Sequence, residues 1–331
     1  MELAVKTLLE FDDLFVCPEC GNTLTAEWFC HPCAKSFRQP DGIPDLRTAV
    51  DARTDIVREF YEQSPFPGYP ARDSVEWLRA RAERSEFARM LDRAIPGDAT
   101  VVEVGCGTGQ MSLYLARAGR RLIGADLSRS SLRLAVSASR RFGLERAVRF
   151  IQTDLHRPGL RDGAFDVVYS SGVLHHTPDP GAAFARIARL ARPGGWIVVG
   201  LYNALARIPV RIRRAVARLS GYRWTPFDPV LSDRACEPAR RDAWFRDQYQ
   251  HPIEHRHTLG EVQRWFAKND VEYVRAYPSA LLSADSDELF THCGDSWAPE
   301  QWLAQLAWMR PLSHEGGLFV TVGKRCSRSA F

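Results

Sequence analysis

Short apolar runs alternate with stretches of helical periodicity along most of the chain after residue 97. Apolar runs that end at Gly, Asp or Asn are typical of buried strands, whereas an apolar residue every three or four positions indicates a helix. We expect helices at 111–118 and 259–266. Alternation of the two element types is the pattern of a parallel α/β sheet. The segments predicted as strands are 100–104, 121–126, 149–155, 165–171, 196–202, 271–277 and 318–322.

The composition places the chain among globular proteins. It has 331 residues, 45% of them hydrophobic and 25% charged, and at roughly 150 residues per domain this length suggests about two domains. The longest apolar runs, 165–169 and 196–202, are far shorter than the ~20 residues that a membrane-spanning helix needs. The first residues lack the basic start, apolar core and cleavage site of a secretion signal. We therefore expect a cytoplasmic protein without a membrane span.

Four of the eight cysteines are concentrated near the N-terminus. They form two Cys-x-x-Cys pairs separated by nine residues, a spacing that lets four thiolates surround one metal ion. Such a closed set of sulfur ligands is typical of structural zinc, leaves no position for water, and stabilises a segment too short to bury its own core. An iron site or a thiol switch is the alternative. The expected metal ligands are Cys17, Cys20, Cys30 and Cys33.

A glycine-rich turn follows the first predicted strand. Gly105, Gly107 and Gly109 alternate with other residues, which permits a tight turn and brings the backbone close to a bound nucleoside. Enzymes that bind dinucleotides have a related triplet, so the glycines alone do not identify the ligand. The acids around them are more informative. Glu103 lies in the strand before the turn, and Asp126 ends the next strand, where a carboxylate can accept both ribose hydroxyls.

A third acid and two later motifs complete the pattern. Asp154 ends the third predicted strand, FDVVYSSGVLHHT spans 165–177, and RPGGWIVVGLYN spans 192–203. In this order, over about 97–203, the motifs resemble those of class I S-adenosylmethionine-dependent methyltransferases. The resemblance implies a seven-stranded Rossmann-like α/β sheet with helices on both faces, and S-adenosylmethionine as the cofactor.

The resemblance also implies a domain organisation. The segment FRQPDGIPDL at 37–46 resembles the end of short bacterial zinc ribbons that accompany methyltransferases, so we expect residues 1–50 to form a zinc-ribbon module that binds Zn²⁺. Residues 51–96 are expected to form lid helices, and 97–331 the methyltransferase domain. Loops at the carboxyl ends of the strands bind substrates in such sheets. The two substrate-binding insertions are placed at about 203–257 and 278–316.

The resemblance carries site residues over, position by position. It implies that the glycine turn and the acids bind the cofactor, with Asp126 at the ribose and Asp154 and Leu155 at the adenine. An aromatic segment before the first strand folds over the cofactor in similar enzymes, which makes Tyr61 and Tyr69 lid residues. Aromatic packing is the alternative. The complete set expected at the cofactor is Glu103, Gly105, Cys106, Gly107, Gly109, Asp126, Leu127, Asp154, Leu155, Ser171 and Tyr61.

Histidines and tyrosines near the strand ends are the candidates for the reaction itself. His175 and His176 follow the fourth strand, and an imidazole titrates near neutrality, so either can take a proton from an acceptor. The alternative is that the pair only shapes the pocket. A second metal site at His251 and His255 is disfavoured because Pro252 interrupts the helix that it would need. The residues expected to bind substrate are Tyr202, Asn203, Tyr249, His251 and His255.

An arginine-rich stretch bears on the partner. Residues 205–223 contain six arginines and no acid, with Ile208, Ile212, Val216 and Leu219 at helical spacing. This pattern fits an anionic substrate, a membrane surface or RNA, and equally a solvated amphipathic helix. The first fifty residues, by contrast, contain four Lys or Arg against eight Asp or Glu, a balance that repels phosphates.

The predicted function is methyl transfer to an oxygen, nitrogen or carbon centre of a small molecule, such as a secondary metabolite or a glycan. The fourth strand lacks the Asn/Asp-Pro-Pro-aromatic motif of amine-methylating nucleic-acid enzymes, and no cysteine stands at a strand end as the nucleophile of a pyrimidine C5 enzyme would. Two alternatives remain open. One is an rRNA or tRNA methyltransferase whose zinc ribbon contacts RNA. The other is a non-catalytic S-adenosylmethionine-binding scaffold whose ribbon recruits a protein partner.

Overall fold

The computed structural model describes residues 11–48, 52–63, 65, 74–233, 238–281, 287–292, 294, 297–312 and 316–327 of the chain. Within these residues the chain forms a seven-stranded mixed sheet, with a two-stranded hairpin near the N-terminus. Apolar clusters lie on both faces of the large sheet, covered by helices and by the N-terminal segment. The predicted seven-stranded Rossmann-like α/β fold is confirmed.

The strand order creates a crevice at one edge of the sheet. The strands are β1 (Phe29–Cys30) and β2 (Lys35–Ser36) in the hairpin, and β3 (Thr100–Val104), β4 (Arg121–Asp126), β5 (Val148–Gln152), β6 (Phe165–Ser171), β7 (Ala191–Tyr202), β8 (Val271–Tyr277) and β9 (Leu318–Arg325) in the sheet. The sheet order is β5-β4-β3-β6-β7-β9-β8, and β9 runs antiparallel to β7 and β8. Because the connections leave β3 in opposite directions, toward β4 and later toward β6, a ligand crevice is expected at its carboxyl end.

Ten α-helices lie in the described part of the chain. They are α1 (Ala52–Gln63), α2 (Val75–Ala82), α3 (Glu86–Ala94), α4 (Gln110–Ala116), α5 (Arg129–Arg141), α6 (Pro180–Ala188), α7 (Ile208–Leu219), α8 (Pro238–Phe245), α9 (Leu259–Lys268) and α10 (Ala298–Ala307). Short polar side chains begin several of them, as at Ser128, whose hydroxyl accepts from the Ser131 N–H, and at Thr258. None of these helices combines the length and apolar character required to cross a membrane, as judged over the described residues.

Alternate residues of the central strands fill the two cores. In β3, Val101 belongs to one apolar cluster, whereas Val102 and Val104 belong to the other. All five residues of this strand are buried, as expected of a parallel strand covered on both faces. The strand is apolar along most of its length because both of its faces are buried.

The N-terminal segment packs onto the sheet instead of standing apart from it. Phe15, Leu24 and Leu46 are buried in the same apolar cluster as Leu160 and Ile151. After the hairpin, the Leu46 N–H donates to the Gln152 carbonyl (2.8 Å) and the Gln152 N–H donates to the Pro44 carbonyl (2.9 Å). These bonds pair the last residue of β5, where the edge of the sheet would otherwise present unpaired backbone groups.

The amphipathic helix predicted in the arginine-rich stretch is α7, but its apolar stripe does not face the core. The side chains that α7 buries are Val210, Arg213 and Ala217, whereas Ile212 and Leu219 are exposed. Helical spacing alone finds such a stripe without saying which side of the helix the fold covers.

Candidate functional site

A cavity of about 1090 Å³ opens at the carboxyl ends of β3, β4 and β6. It lies where the strand order reverses, which is where open α/β sheets bind ligands. Its walls come from the turns after these strands, from α1 and α2, and from parts of residues 229–248. Small-molecule sites usually measure ~300–1,000 Å³, so this single cavity has room for a nucleoside together with an acceptor.

The glycine turn forms the floor of the cavity. Gly105 and Gly107 both have a positive φ (78° and 53°), a region that residues with a Cβ rarely adopt. A Cβ added to Gly105 would lie 2.1 Å from a methyl group of Val173. The Gly105 N–H donates to the Ala125 carbonyl (2.7 Å), which fixes the turn against the end of β4. Only glycine fits position 105.

Two buried acids border the turn. The Asp126 carboxylate accepts the Gly107 N–H (2.7 Å) and the Ser128 N–H (2.8 Å), and burial raises its pKa. The Glu103 carboxylate accepts a hydrogen bond from the Ser112 hydroxyl, and burial raises its pKa to about 8. Each carboxylate retains lone pairs for a ligand hydroxyl, since a carboxylate offers about four acceptor sites.

Most of the other residues expected at the cofactor also line the cavity. Cys106, Leu127, Asp154, Leu155 and Ser171 line the cavity together with the residues above. Burial raises the pKa of the Cys106 thiol well above its ordinary value, so this cysteine stays protonated and lacks the thiolate of a nucleophile.

Gly109 is placed differently from the expectation. It begins α4 with φ 76°, and a Cβ there would lie 2.9 Å from Ala135 and from the Phe150 ring. The cavity wall formed by the described residues does not include it. The missing Cβ of the third glycine thus allows α4 to begin close to Ala135 and Phe150, and its contact with the cofactor stays a prediction.

Helix α1 covers the cavity and is hydrogen-bonded to the start of α5, close to Asp126. The Glu62 carboxylate accepts the backbone N–H groups of Arg129 (2.6 Å) and Ser130 (3.0 Å), which are the first donors of α5. Tyr61 lines the cavity, and the Ser128 hydroxyl donates to its carbonyl (3.3 Å). The second expected lid residue, Tyr69, lies outside the described residues.

The structure separates the roles of the two neighbouring histidines. His175 is fully buried, and its Nδ1 accepts the Tyr202 N–H (3.3 Å) while its ring stacks on the Tyr202 ring at 3.8 Å. Burial lowers its pKa well below the ordinary value. His175 is absent from the cavity wall that the described residues form, so it supports the end of β7 and is not placed to take a proton from an acceptor.

His176, in contrast, lines the cavity. Its Nδ1 lies 2.7 Å from the Ile253 carbonyl; because a carbonyl can only accept, Nδ1 carries the proton and Nε2 keeps its lone pair. Burial lowers the pKa of His176, and the nearby Asp247 carboxylate opposes that shift. At neutral pH the side chain is therefore an uncharged base with a fixed tautomer.

Asp247 joins three polar side chains at the cavity, and the sequence analysis did not select it. Its carboxylate accepts from the hydroxyls of Tyr61 (3.0 Å) and Tyr202 (3.2 Å) and from the Gln248 side-chain amide (2.8 Å). It lies in a single π-helical turn, Arg246–Gln250. The available signal was the concentration of polar and aromatic residues at 241–257, which does not say which of them faces inward.

The side chains of His176, Asp247 and His251 have the composition of a metal site, with ligand atoms within 4.8 Å of one another. The hydrogen bonds argue against that use. The Ile253 N–H donates to the Nδ1 of His251 (3.2 Å), so the proton of this neutral imidazole is on Nε2 and that nitrogen has no lone pair for a metal. Burial lowers the pKa of His251 to about 2. The His251 ring packs against the His176 ring instead, with 3.7 Å between the ring centres.

The expected substrate residues are only partly at the cavity. Tyr202 lines it, whereas Asn203, Tyr249, His251 and His255 are absent from the wall formed by the described residues. The Asn203 side chain accepts the N–H groups that follow it (2.9 Å) and donates to Gln305 (3.0 Å). The Tyr249 hydroxyl donates to Asp228 (2.7 Å). The polar groups of both side chains are therefore hydrogen-bonded within the protein and do not face the cavity.

Half of the arginine-rich stretch is used internally. The fully buried Arg207 guanidinium donates to Glu254 (2.7 and 3.0 Å) and to Gln248 (2.8 Å), and it stacks 3.4 Å from the Tyr202 ring centre. Arg214 also donates to Glu254 (2.9 Å). Arg213 donates to the Phe227 carbonyl (2.9 Å). These three arginines hold the insertion together and are not available to a phosphate backbone.

The cavity has a basic wall that the sequence analysis missed. Arg58 of α1, Arg81 of α2 and Arg84 just after it all line the cavity. They lie in the two helices that precede the sheet, where no motif distinguished them from ordinary surface arginines. Their charge suits an anionic group such as a carboxylate.

The four N-terminal cysteines converge at one point. The sulfur atoms of Cys17 and Cys33 are 3.9 Å apart, those of Cys20 and Cys30 are 3.4 Å apart, and all four lie within 4.8 Å of one another. Sulfurs bound to one zinc ion at ~2.3 Å in a tetrahedron are separated by ~3.8 Å, so the cluster fits such an ion. The Asn22 amide donates to the Cys20 sulfur (3.3 Å), which lowers the pKa of this thiol to about 6.

The central part of the chain is similar to known methyltransferases. Residues 102–199 match the family described as "Methyltransferase domain". An uncharacterized protein of Synechococcus sp. is 26% identical over 252 residues, which cover 68% of this chain and 60% of the relative. The ubiquinone biosynthesis O-methyltransferase of Methylococcus capsulatus is 39% identical over 102 residues, which cover 31% of this chain and 43% of the relative.

A third relative is the methyltransferase GfsG of Streptomyces halstedii, 30% identical over 153 residues that cover 45% of this chain and 54% of the relative. The chain spans between 43% and 60% of the length of these curated relatives. The residues that match the family model, 102–199, include the glycine turn and the strand-end acids.

Proposed function

We propose that this chain, which carries a class I methyltransferase domain, transfers the methyl group of S-adenosylmethionine to a small-molecule acceptor. The observation that carries the proposal is the position of His176 in the same cavity as the glycine turn and Asp126. One cavity thus offers a nucleoside-binding floor and, beside it, a neutral base with a free nitrogen.

The cofactor side of the cavity suits a nucleoside. The Asp126 carboxylate, oriented by the Gly107 and Ser128 N–H groups, is placed to accept ribose hydroxyls, while Asp154 and Leu155 border the position proposed for the base. Glu103 closes the floor behind the glycine turn. When bound, S-adenosylmethionine supplies a methyl group on a positively charged sulfur. The arginines of α1 and α2 provide charge for its carboxylate or for an anionic acceptor.

The acceptor side supplies orientation and a proton acceptor. A hydroxyl placed at Nε2 of His176 can give up its proton to that nitrogen, and Asp247 stabilises the imidazolium that results. Asp247 in turn is held by Tyr61, Tyr202 and Gln248, which fixes the geometry before the acceptor enters. The arrangement favours an acceptor with a proton to lose, so we propose an oxygen or nitrogen centre ahead of carbon.

A small molecule is favoured over RNA. Three of the six arginines at 205–223 are occupied by internal contacts, and the N-terminal fifty residues have an excess of acids. The cavity is roofed by α1, which leaves an acceptor held between Tyr61 and Tyr202 rather than on an open surface. A base flipped out of RNA would have to displace this roof.

We further propose that the four cysteines hold a structural Zn²⁺. The convergence of their sulfurs supports it, and the closed ligand set leaves no coordination position for an acceptor. The hairpin they would stabilise belongs to the core that covers the edge of β5. Metal analysis of the purified chain should give one zinc per chain, and Cys20→Ser should lower that content together with the melting temperature.

The experiment on function uses methyl-labelled S-adenosylmethionine and two acceptor pools, a small-molecule extract and total RNA. We expect label in the small-molecule pool with the native chain, no transfer with Asp126→Ala, and full transfer with Asp98→Ala, an exposed acid remote from the cavity. Label found only in the RNA pool would show that the acceptor is RNA and not a small molecule. Failure of the native chain to bind the donor would remove the proposal as a whole.

A further inference from the structure

The segment from α7 to the following turn exposes large apolar side chains. Ile212 is 61% exposed, Leu219 90%, Trp224 61% and Phe227 93%. Ile212 and Leu219 are seven residues apart on α7, so they lie on the same side of the helix. Single exposed apolar residues are ordinary, and four within sixteen positions form an apolar surface whose use depends on the charges beside it.

This exposure is built into the segment. Phe227 has φ 55°, which a bulky residue rarely adopts, and its carbonyl accepts a hydrogen bond from the buried Arg213 (2.9 Å). The Trp224 N–H donates to the Ser220 hydroxyl (3.1 Å). Both aromatic residues are thus attached through their backbones, Phe227 to the middle of α7 and Trp224 to its end, while their rings are exposed to solvent.

The charged residues within positions 204–227 are all arginines. Arg211, Arg218 and Arg223 are exposed, and no acid occurs between residues 203 and 227. Arg211 and Arg218 are also seven residues apart, so a row of guanidinium groups runs beside the row of Ile212 and Leu219. We call the seven residues Ile212, Leu219, Trp224, Phe227, Arg211, Arg218 and Arg223 the α7 patch.

We propose that the α7 patch docks the protein onto an anionic lipid membrane surface. Exposed aliphatic and aromatic side chains flanked by arginines are what an interfacial helix uses, because the apolar groups enter the boundary of the acyl chains while the cations meet lipid phosphates. An RNA backbone would pair with the arginines but would leave the aliphatic side chains in water, since only rings stack on bases. The charge complementarity and the aliphatic row together favour the lipid.

Docking there would bring a wall of the cavity to the membrane. Pro229 and Val230, two and three residues after Phe227, line the cavity. Between them and the patch, the buried Asp228 accepts hydrogen bonds from Trp244 (3.2 Å) and Tyr249 (2.7 Å). The patch is therefore firmly connected to the cavity, although its proposed role is independent of the methyl transfer.

The test is cosedimentation of the whole chain with vesicles of phosphatidylcholine alone and of phosphatidylcholine mixed with phosphatidylglycerol, at low and high salt. We expect binding to the mixed vesicles only, weakened by salt. Arg211→Gln/Arg218→Gln/Arg223→Gln should weaken binding on the order of 100-fold at low salt. Leu219→Ser/Phe227→Ser should weaken it at least ~10-fold, because both substitutions remove buried apolar area on the vesicle.

Matched controls keep the result specific. Arg93→Gln/Arg140→Gln/Arg146→Gln removes the same charge elsewhere, and Leu303→Ser/Leu306→Ser removes exposed leucines of α10. Both controls should bind vesicles as the native chain does, with unchanged melting temperatures in all variants.

The proposal is overturned if the native chain does not bind the mixed vesicles, or if the control variants lose vesicle binding as much as the patch variants do. It is also overturned if the patch variants lose RNA binding but keep vesicle binding, or if they only convert a dimer of the chain into monomers.

Discussion

The Tyr61 hydroxyl donates a hydrogen bond of 3.0 Å to the Asp247 carboxylate, although 186 positions separate the two residues in the chain. Tyr61 belongs to α1, and the residue after it, Glu62, accepts hydrogen bonds from the first N–H groups of α5, close to Asp126. Asp247 belongs to the insertion after β7 and lies beside His176. One contact therefore joins the side of the cavity proposed for the cofactor to the side proposed for the acceptor.

Removing that contact should uncouple the two sides. Tyr61→Phe deletes a buried hydrogen bond to a carboxylate, which costs about 1.5–3 kcal/mol of unfolding free energy, and it frees α1 from the insertion. We expect kcat/KM to fall at least ~10-fold because the cavity closes less well. Tyr249→Phe also removes a buried bond to a carboxylate but lies outside the cavity wall. It should lower stability by a similar amount with little effect on kcat/KM, and equal kinetic losses in both variants would contradict the coupling.

His176 and His175 should respond differently to substitution. His176→Asn removes the proposed base, and kcat should fall about 10²–10⁴-fold while donor binding stays within a few-fold. Because burial lowers the pKa of His176 below its ordinary value, the fall of kcat on the acid side of the pH profile should have its midpoint below pH ~6.5. His175→Asn should lower the melting temperature instead. Single-turnover kinetics measures the loss of kcat, and calorimetry measures the loss of melting temperature. An unchanged kcat in His176→Asn would contradict the proposal that His176 is the base.

Buried histidines should make the protein sensitive to acid. The pKa of His251 is lowered from 6.5 to about 2, so below pH 6.5 the unfolded chain takes up a proton that the folded chain refuses. Above pH 6.5, the pKa of this histidine in the unfolded chain, the group does not reduce the free energy of unfolding. Between pH 6.5 and 4.5 it lowers that free energy by about 2–3 kcal/mol. Glu103, with its pKa raised to about 8, acts in the opposite direction, since stability from this group falls as the pH rises from its unfolded value.

A pairwise comparison isolates the histidine. We expect denaturant unfolding of His251→Gln to show a shallower loss of free energy between pH 6.5 and 4.5 than the native chain, whatever its stability at pH 7. Glu103→Gln should leave that acid loss intact or steepen it. Parallel slopes for the native chain and His251→Gln would show that this histidine is not protected from protons in the folded state.

The N-terminal module should influence donor binding through Arg129. Its guanidinium donates to Gln152 (2.8 Å) and to the carbonyls of Pro40 (3.0 Å) and Ile43 (3.1 Å), three positions after Asp126. Arg129→Ala should raise amide exchange in residues 40–48 and weaken S-adenosylhomocysteine binding several-fold. Arg133→Ala removes an exposed ion pair to Asp41 (2.8 Å), which is worth ~0–1 kcal/mol, and should change neither. Identical behaviour of the two variants would rule out this link.

Local pattern was sufficient for the sheet and for the floor of the cavity. The apolar runs, the glycines at 105 and 107 and the acids at 103 and 126 all lie within one stretch of chain, and parallel topology brings strand ends together. The same reasoning grouped Gly109 with the two glycines that line the cavity, because a glycine required for close packing and one required for a ligand look alike in a sequence. It also could not separate His175 from His176, which differ only in the direction that a short 3₁₀ turn gives them.

The acceptor side was harder because its contacts are distant in sequence. Asp247 meets Tyr61 and Tyr202 through a π-helical turn, an element that no periodicity announces. Asn203 and Tyr249 have the composition of binding residues, yet their polar groups are satisfied inside the insertion. Whether a polar side chain faces a ligand or its own loop depends on partners that only the folded chain brings together.

The most direct measurement is titration calorimetry with S-adenosylhomocysteine on the native chain, Asp126→Ala and Asp98→Ala. We expect one binding site per native chain, the same affinity for Asp98→Ala, and at least ~10-fold weaker binding for Asp126→Ala, since a charged acceptor for the ribose hydroxyls is lost. No binding by the native chain, or equal affinity in all three, would contradict the assignment of this cavity to the methyl donor.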